Sequence, residues 1–103
     1  MNLKEASQWA FETSKKRNQY KDDGTDVMRC LKHCAGEVIE AMDAYGSWCN
    51  EDYFTTKEDF ADELADVIIC ILSVSGFEGI DIEQAIARKM LINEGRVKND
   101  SKE

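Results

Sequence analysis

DVMRCLKHCAGEVIEAMDAY, residues 26–45, reads as one long amphipathic helix. Its apolar side chains Val27, Leu31, Cys34, Val38, Ala41, Met42 and Tyr45 recur at the i, i+3, i+4, i+7 spacing of one helix face. Thr25 is a good N-cap for it and Gly46 a good terminator. Residues 57–75, KEDFADELADVIICILSVS, repeat the pattern with Phe60, Leu64, Val67, Ile71 and Val74. A capping box of Thr55 and Glu58 opens this second stretch, and Gly76 ends it. Two such helices joined by a loop over 46–55 form an antiparallel hairpin.

Working outward, residues 3–19 form a helix capped by Asn2, with Glu5 three residues on. Residues 82–94 form another, capped by Asp81 with Gln84 and followed by Gly95. The β-branched run VIICIL, 67–72, is the one stretch that resembles a strand, and its flanks carry helix periodicity. The expected fold class is all-α: a four-helix bundle around the central antiparallel hairpin. It is a single domain over 1–97, with a polar C-terminal tail over 98–103.

An apolar fraction of 43% suits a globular chain and argues against disorder. The formal net charge of −8 argues against a nucleic acid polymer or an anionic membrane as partner. It also repels a free nucleotide, so an anionic substrate would need a cation or a local basic group. The longest apolar run is too short to span a bilayer, and MNLKEASQWAFETSKK carries charges where a signal segment would be apolar. The expected location is cytoplasmic. The cysteines form no C-x-x-C pair, so a structural zinc site is not expected. Cys30, Cys34 and Cys70 are read as reduced thiols packed as small hydrophobes.

On both hairpin helices an acidic i, i+3 pair flanks the apolar stripe: Glu37 with Glu40, and Glu63 with Asp66. In the hairpin register Glu40 falls level with Glu63, and Glu37 near Asp66. Carboxylates crowded in this way need a counter-charge. A hard divalent cation, Mg²⁺ or Mn²⁺, is the natural one. The alternatives are a solvated charged face or salt bridges at a subunit interface.

GEVIEA, 36–41, followed by DELADVIICIL, 62–72, resembles the MazG-like, all-α nucleoside-triphosphate pyrophosphohydrolase superfamily. That signature is E-x-x-E, a spacer, then E-x-x-D. A third element, Lys89 to Asn93 and then Arg96, is similar to the family's K-x-x-x-N-x-x-R segment. The resemblance covers about residues 25–97. Gly36 stands where some members have a further acid, and the G-E-V-x-E form is nearer the dCTP pyrophosphatase branch.

The resemblance implies a four-helix bundle assembled as a homodimer or homotetramer. It implies hydrolysis of the α–β phosphoanhydride of a (deoxy)nucleoside triphosphate to monophosphate and pyrophosphate. Glu37, Glu40, Glu63 and Asp66 would then be the catalytic carboxylates and would ligate Mg²⁺, with Mn²⁺ as the alternative ion. Alternatives are a phosphoribosyl-ATP pyrophosphohydrolase-like enzyme and a non-catalytic, nucleotide-binding helical regulator. A di-iron bundle is disfavoured, because no Glu is followed by His at i+3.

Lys89, Asn93 and Arg96 continue the Ile82–Ile86 stripe, and a stripe turning from apolar to basic suits phosphate. Its bland counterpart is a solvated helix end. His33, one turn before Glu37, is a substrate or metal contact, or else a surface group. Trp48, with Tyr53 and Phe54, would either stack on a base or pack the hairpin end or a subunit contact. Trp9 is assigned to core or interface, and Asp59 to an outer-shell carboxylate or a helix-start charge.

Overall fold

The computed structural model describes residues 1–17, 25–50 and 55–100. Those residues form four helices and no strand: α1 (Leu3–Lys16), α2 (Thr25–Cys49), α3 (Lys57–Glu78) and α4 (Ile82–Asp100). The all-α class is as expected. α3 is the central helix, packed against α2 on one side and α1 on the other, while α4 leans on α1. In the single chain the fourth helix therefore does not complete a closed bundle around the hairpin.

The helix ends show which local signals win. The Asn2 side chain accepts from the Glu5 amide at 2.8 Å, as expected. Asp81 likewise accepts from the Gln84 amide at 3.0 Å. The capping box of α3 lies one residue later than expected. Thr56 Oγ1 accepts from the Asp59 amide at 3.2 Å, and the Asp59 carboxylate accepts from the Thr56 amide at 2.8 Å. The paired Thr55-Thr56 and Glu58-Asp59 offer two registers, and the chain takes the later one. Asp59 is thus a capping residue.

The glycine terminators were misplaced. Gly46, Gly76 and Gly95 all lie inside helices. One interior glycine costs only about 1 kcal/mol, which strong flanking formers override. Gly79 ends α3 instead, at φ +66, with the Ile80 amide returning to the Ser75 carbonyl at 2.9 Å. α2 consequently runs on to Cys49, and α4 extends through Lys98 into the expected tail. The expected helix end at Gln19, and the rings of Tyr53 and Phe54, lie outside the described residues.

Small side chains let α1 lie close on α3. Ser7, Ala10 and Ser14 are its buried residues. Ser7 Oγ donates to the Leu72 carbonyl at 3.0 Å, and Ser14 and Ser73 hydroxyls meet at 2.7 Å. Gly76 permits the approach, and Phe11 packs edge-on against Phe77 at 5.8 Å. The opposite end of the hairpin is closed by rings. Trp48 stacks on Phe60 at 6.1 Å and 24°, with Tyr45 5.2 Å from Phe60.

Much of the apolar surface stays uncovered. The buried hydrophobic side chains are Ala10, Cys34, Ala41 and Leu72, whereas Leu31, Val38, Met42 and Tyr45 on α2 are exposed. Leu64, Ile68 and Ile71 on α3 are exposed too. The expected stripes exist, but among the described residues α2 packs mainly against α3, which covers only part of a broad apolar face. The radius of gyration is 16.8 Å, against about 13 Å for a compact domain of this length. No helix among the described residues is long and apolar enough to cross a membrane.

Candidate metal centre

Three carboxylates from the hairpin converge. Ligand atoms of Glu37 on α2, and of Glu63 and Asp66 on α3, all lie within 4.8 Å of one another. The convergence follows from antiparallel register, which sets Glu37 opposite Asp66. Glu40 is exposed and stands outside this tight group. Its charge still reaches Glu63. Partial burial pushes the Glu63 carboxyl above the ordinary range, and the negative charges of Glu40, Asp66, Glu37 and Asp62 push it further.

Two oxygens decide what the group suits. Glu37 Oε2 and Glu63 Oε2 are buried without a hydrogen-bond partner. Buried polar atoms are rarely left in that condition. Carboxylate lone pairs with no donor, crowded by like charge, are the donor set that a hard divalent cation satisfies. The remaining Glu37 oxygen has a partner: His33 Nε2 stands 3.0 Å from Oε1. His33 therefore orients Glu37, in addition to facing the space in front of it.

That space is a cleft of about 800 Å³ between α1, α2 and α3. One row of polar and aromatic side chains runs along each wall, with Ala10, Ser14, Cys30 and Ile69 beside these rows. Trp9 and Thr13 come from α1 and Arg17 from its C-cap, Arg29, His33 and Glu37 from α2, and Asp66, Cys70 and Ser73 from α3. Each row follows the i, i+4 spacing of a helix ridge, or i, i+3 at its end. Arg17 and Arg29 bring positive charge into an otherwise acidic molecule, and Arg29 is held by an ion pair to buried Asp26.

The remaining sequence-predicted residues lie elsewhere. Lys89, Asn93 and Arg96 are exposed on α4, and none lines the cleft. Trp48 belongs to the ring cluster at the hairpin end, also outside the cleft. Trp9, expected in core or interface, is 57% exposed and forms a cleft wall. Arg17 and Arg29 were not foreseen. The row Arg29, His33, Glu37 was a visible signal, but Arg17 carried none.

The thiols also differ from expectation. Cys34 and Cys70 form a disulfide across α2 and α3, with their Cα atoms 5.8 Å apart, and Cys30 and Cys49 take no part in a disulfide. Periodicity puts Cys34 on the α2 stripe and Cys70 beside the α3 stripe, but it does not show which positions of the two helices meet. Comparison with protein-family models, curated proteins and solved structures finds no match for the chain.

Proposed function

We propose that the chain is a divalent-cation-dependent nucleoside-triphosphate pyrophosphohydrolase of the MazG-like type, cleaving the α–β phosphoanhydride to monophosphate and pyrophosphate. One observation carries the reading. Glu37, Glu63 and Asp66 converge with two partnerless buried oxygens, at the wall of a cleft that also holds two arginines.

Glu37, Glu63 and Asp66 would hold Mg²⁺ or Mn²⁺. The bound ion supplies charge against the phosphate oxygens and acidity to the attacking water. His33 keeps Glu37 in its ligating orientation. Glu40, outside the tight group, is the carboxylate free to take the water's proton. Arg17 and Arg29 face the polyphosphate, offsetting the repulsion of a chain with net charge −8. The Trp9 ring offers a stacking wall for a base.

The proposal includes self-association as a homodimer or homotetramer. The accessible surface is 8116 Å², against about 5,900 Å² for a compact monomer of this mass. The excess is of the order that a stable homodimer buries. The exposed stripes of α2 and α3 supply apolar area outside the cleft. Lys89, Asn93 and Arg96 would take part in catalysis only if association brought α4 of another copy to the cleft.

The test is pyrophosphate release from a panel of ribo-, deoxy- and modified nucleoside triphosphates, with Mg²⁺ and with a chelator. Glu37→Gln should lower the rate by more than about 100-fold, exceeding the usual cost of losing a ligand's supporting partner. A wild-type chain inert on every triphosphate in Mg²⁺ would refute the activity.

A further inference from the structure

We infer that the Cys34–Cys70 pair is a reversible thiol–disulfide site that sets the spacing of the two metal-bearing helices, so that its oxidation tightens divalent-cation binding. The inference rests on the carboxylate centre proposed above. It adds a regulated element to that centre.

Position is the first argument. Cys34 lies one turn before Glu37 on α2, and Cys70 one turn after Asp66 on α3. The bond therefore crosses the hairpin one turn from the place where Glu37 and Asp66 face each other. On the other side of the carboxylates, toward the loop, the stacked rings of Trp48 and Phe60 hold the same two helices together. The centre lies between two clasps. One is permanent packing, and the other is a bond that reductants open.

Force is the second argument. Like charges on α2 and α3 push these helices apart whenever no cation lies between them. The Glu63 carboxyl feels that field directly from Glu37 and Glu40 on the opposite helix. With the bond closed, the helices are held at ligating separation before the cation arrives, and less binding energy goes into drawing them together. With the thiols reduced, repulsion is opposed at this end only by packing.

Access and electron balance are the third. Cys70 lines the cleft, whereas Cys34 is buried, so the Cys70 sulfur is the one that a small co-reactant reaches. Its thiolate attacks a low-molecular-weight disulfide, forming a mixed disulfide and expelling one thiolate. The Cys34 thiolate then attacks the Cys70 sulfur and expels the second. Two protein thiols are oxidised, one external disulfide is reduced to two thiols, and the two protein protons pass to the departing thiolates. A monothiol in excess runs the sequence backward.

The experiment compares the full chain oxidised with glutathione disulfide and reduced with a phosphine. Alkylation and peptide mass mapping should find Cys34 and Cys70 joined to each other in the first and free in the second, with Cys49 joined to neither of them in either state. Mn²⁺ titration, read by the resonance signal of the free ion, should show binding tighter by roughly tenfold in the oxidised chain, the lower end of what ligand-orienting contacts contribute. Cys70→Ser should bind like the reduced chain under both treatments, and Cys49→Ser like wild type. Equal Mn²⁺ affinity in both redox states overturns the inference and leaves the metal centre standing. Failure of Cys34 and Cys70 to join overturns it as well. Absence of Mn²⁺ binding in both states overturns the inference together with the metal centre itself.

Discussion

Gly76→Ala tests the contact that places α1 against the metal-bearing hairpin. A methyl group at that position would lie 2.6 Å from Phe11 Cβ and 2.8 Å from the Ser7 carbonyl oxygen. Neither atom is the end of a flexible side chain, so the helices themselves must separate. Overpacking of this kind costs about 1–3 kcal/mol. Against it stands the helix-propensity gain of alanine over glycine, up to about 1 kcal/mol. The net expectation is a loss of about 1 kcal/mol, or a fall in Tm of roughly 4–8 °C for a domain of this size. Gly36→Ala is the control, because nothing lies within 4 Å of its added carbon. That variant should gain about 0.5–1 kcal/mol. The propensity term is common to both, so the difference between them isolates the close contact. The assay is chemical denaturation of the metal-free, oxidised chain. Equal stability of the two variants would refute the close packing of α1 on α3, and with it the cleft wall carrying Trp9 and Arg17.

Glu63 makes the stability of the metal-free chain depend on pH. Its carboxyl is raised in the fold above the ordinary value of 4.5, so in that window the native state binds more protons than the unfolded chain. Metal-free stability should therefore fall as pH rises from about 4.5 through the raised value. Denaturation at a series of pH values should show a shallower fall in Glu63→Gln, and that variant should lose the stabilisation by added Mg²⁺; an unchanged slope would count against the carboxylate cluster. Met42, 66% exposed on α2, should lie in the surface used for self-association. Light scattering should show an oligomer for wild type and a smaller species for Met42→Glu, and a monomeric wild type would remove the argument from exposed apolar surface.

Much of the architecture was legible because helix signals are local. The i, i+4 stripes of α2 and α3 and the caps at Asn2 and Asp81 depend on residues within one turn of each other. So does the shared flank of Glu37 and Glu40, or of Glu63 and Asp66. Hairpin register then follows from helical rise, and it brings Glu37, Glu63 and Asp66 within 4.8 Å. The glycine stops misled because a terminator needs a chain that turns left-handed, and only Gly79 has positive φ among the described residues.

By itself, then, the sequence determined the all-α class, the helices of the hairpin and the flanks on which the acidic pairs stand, since each depends on spacing along one helix. Tertiary structure alone decided which thiols are joined, that Arg17 and Trp9 face the carboxylates across a cleft, and that Lys89, Asn93 and Arg96 do not. Those outcomes depend on the angle and separation at which one helix crosses another. Small contacts such as Gly76 against Phe11 set that geometry, and nothing in the local periodicity of either helix encodes it.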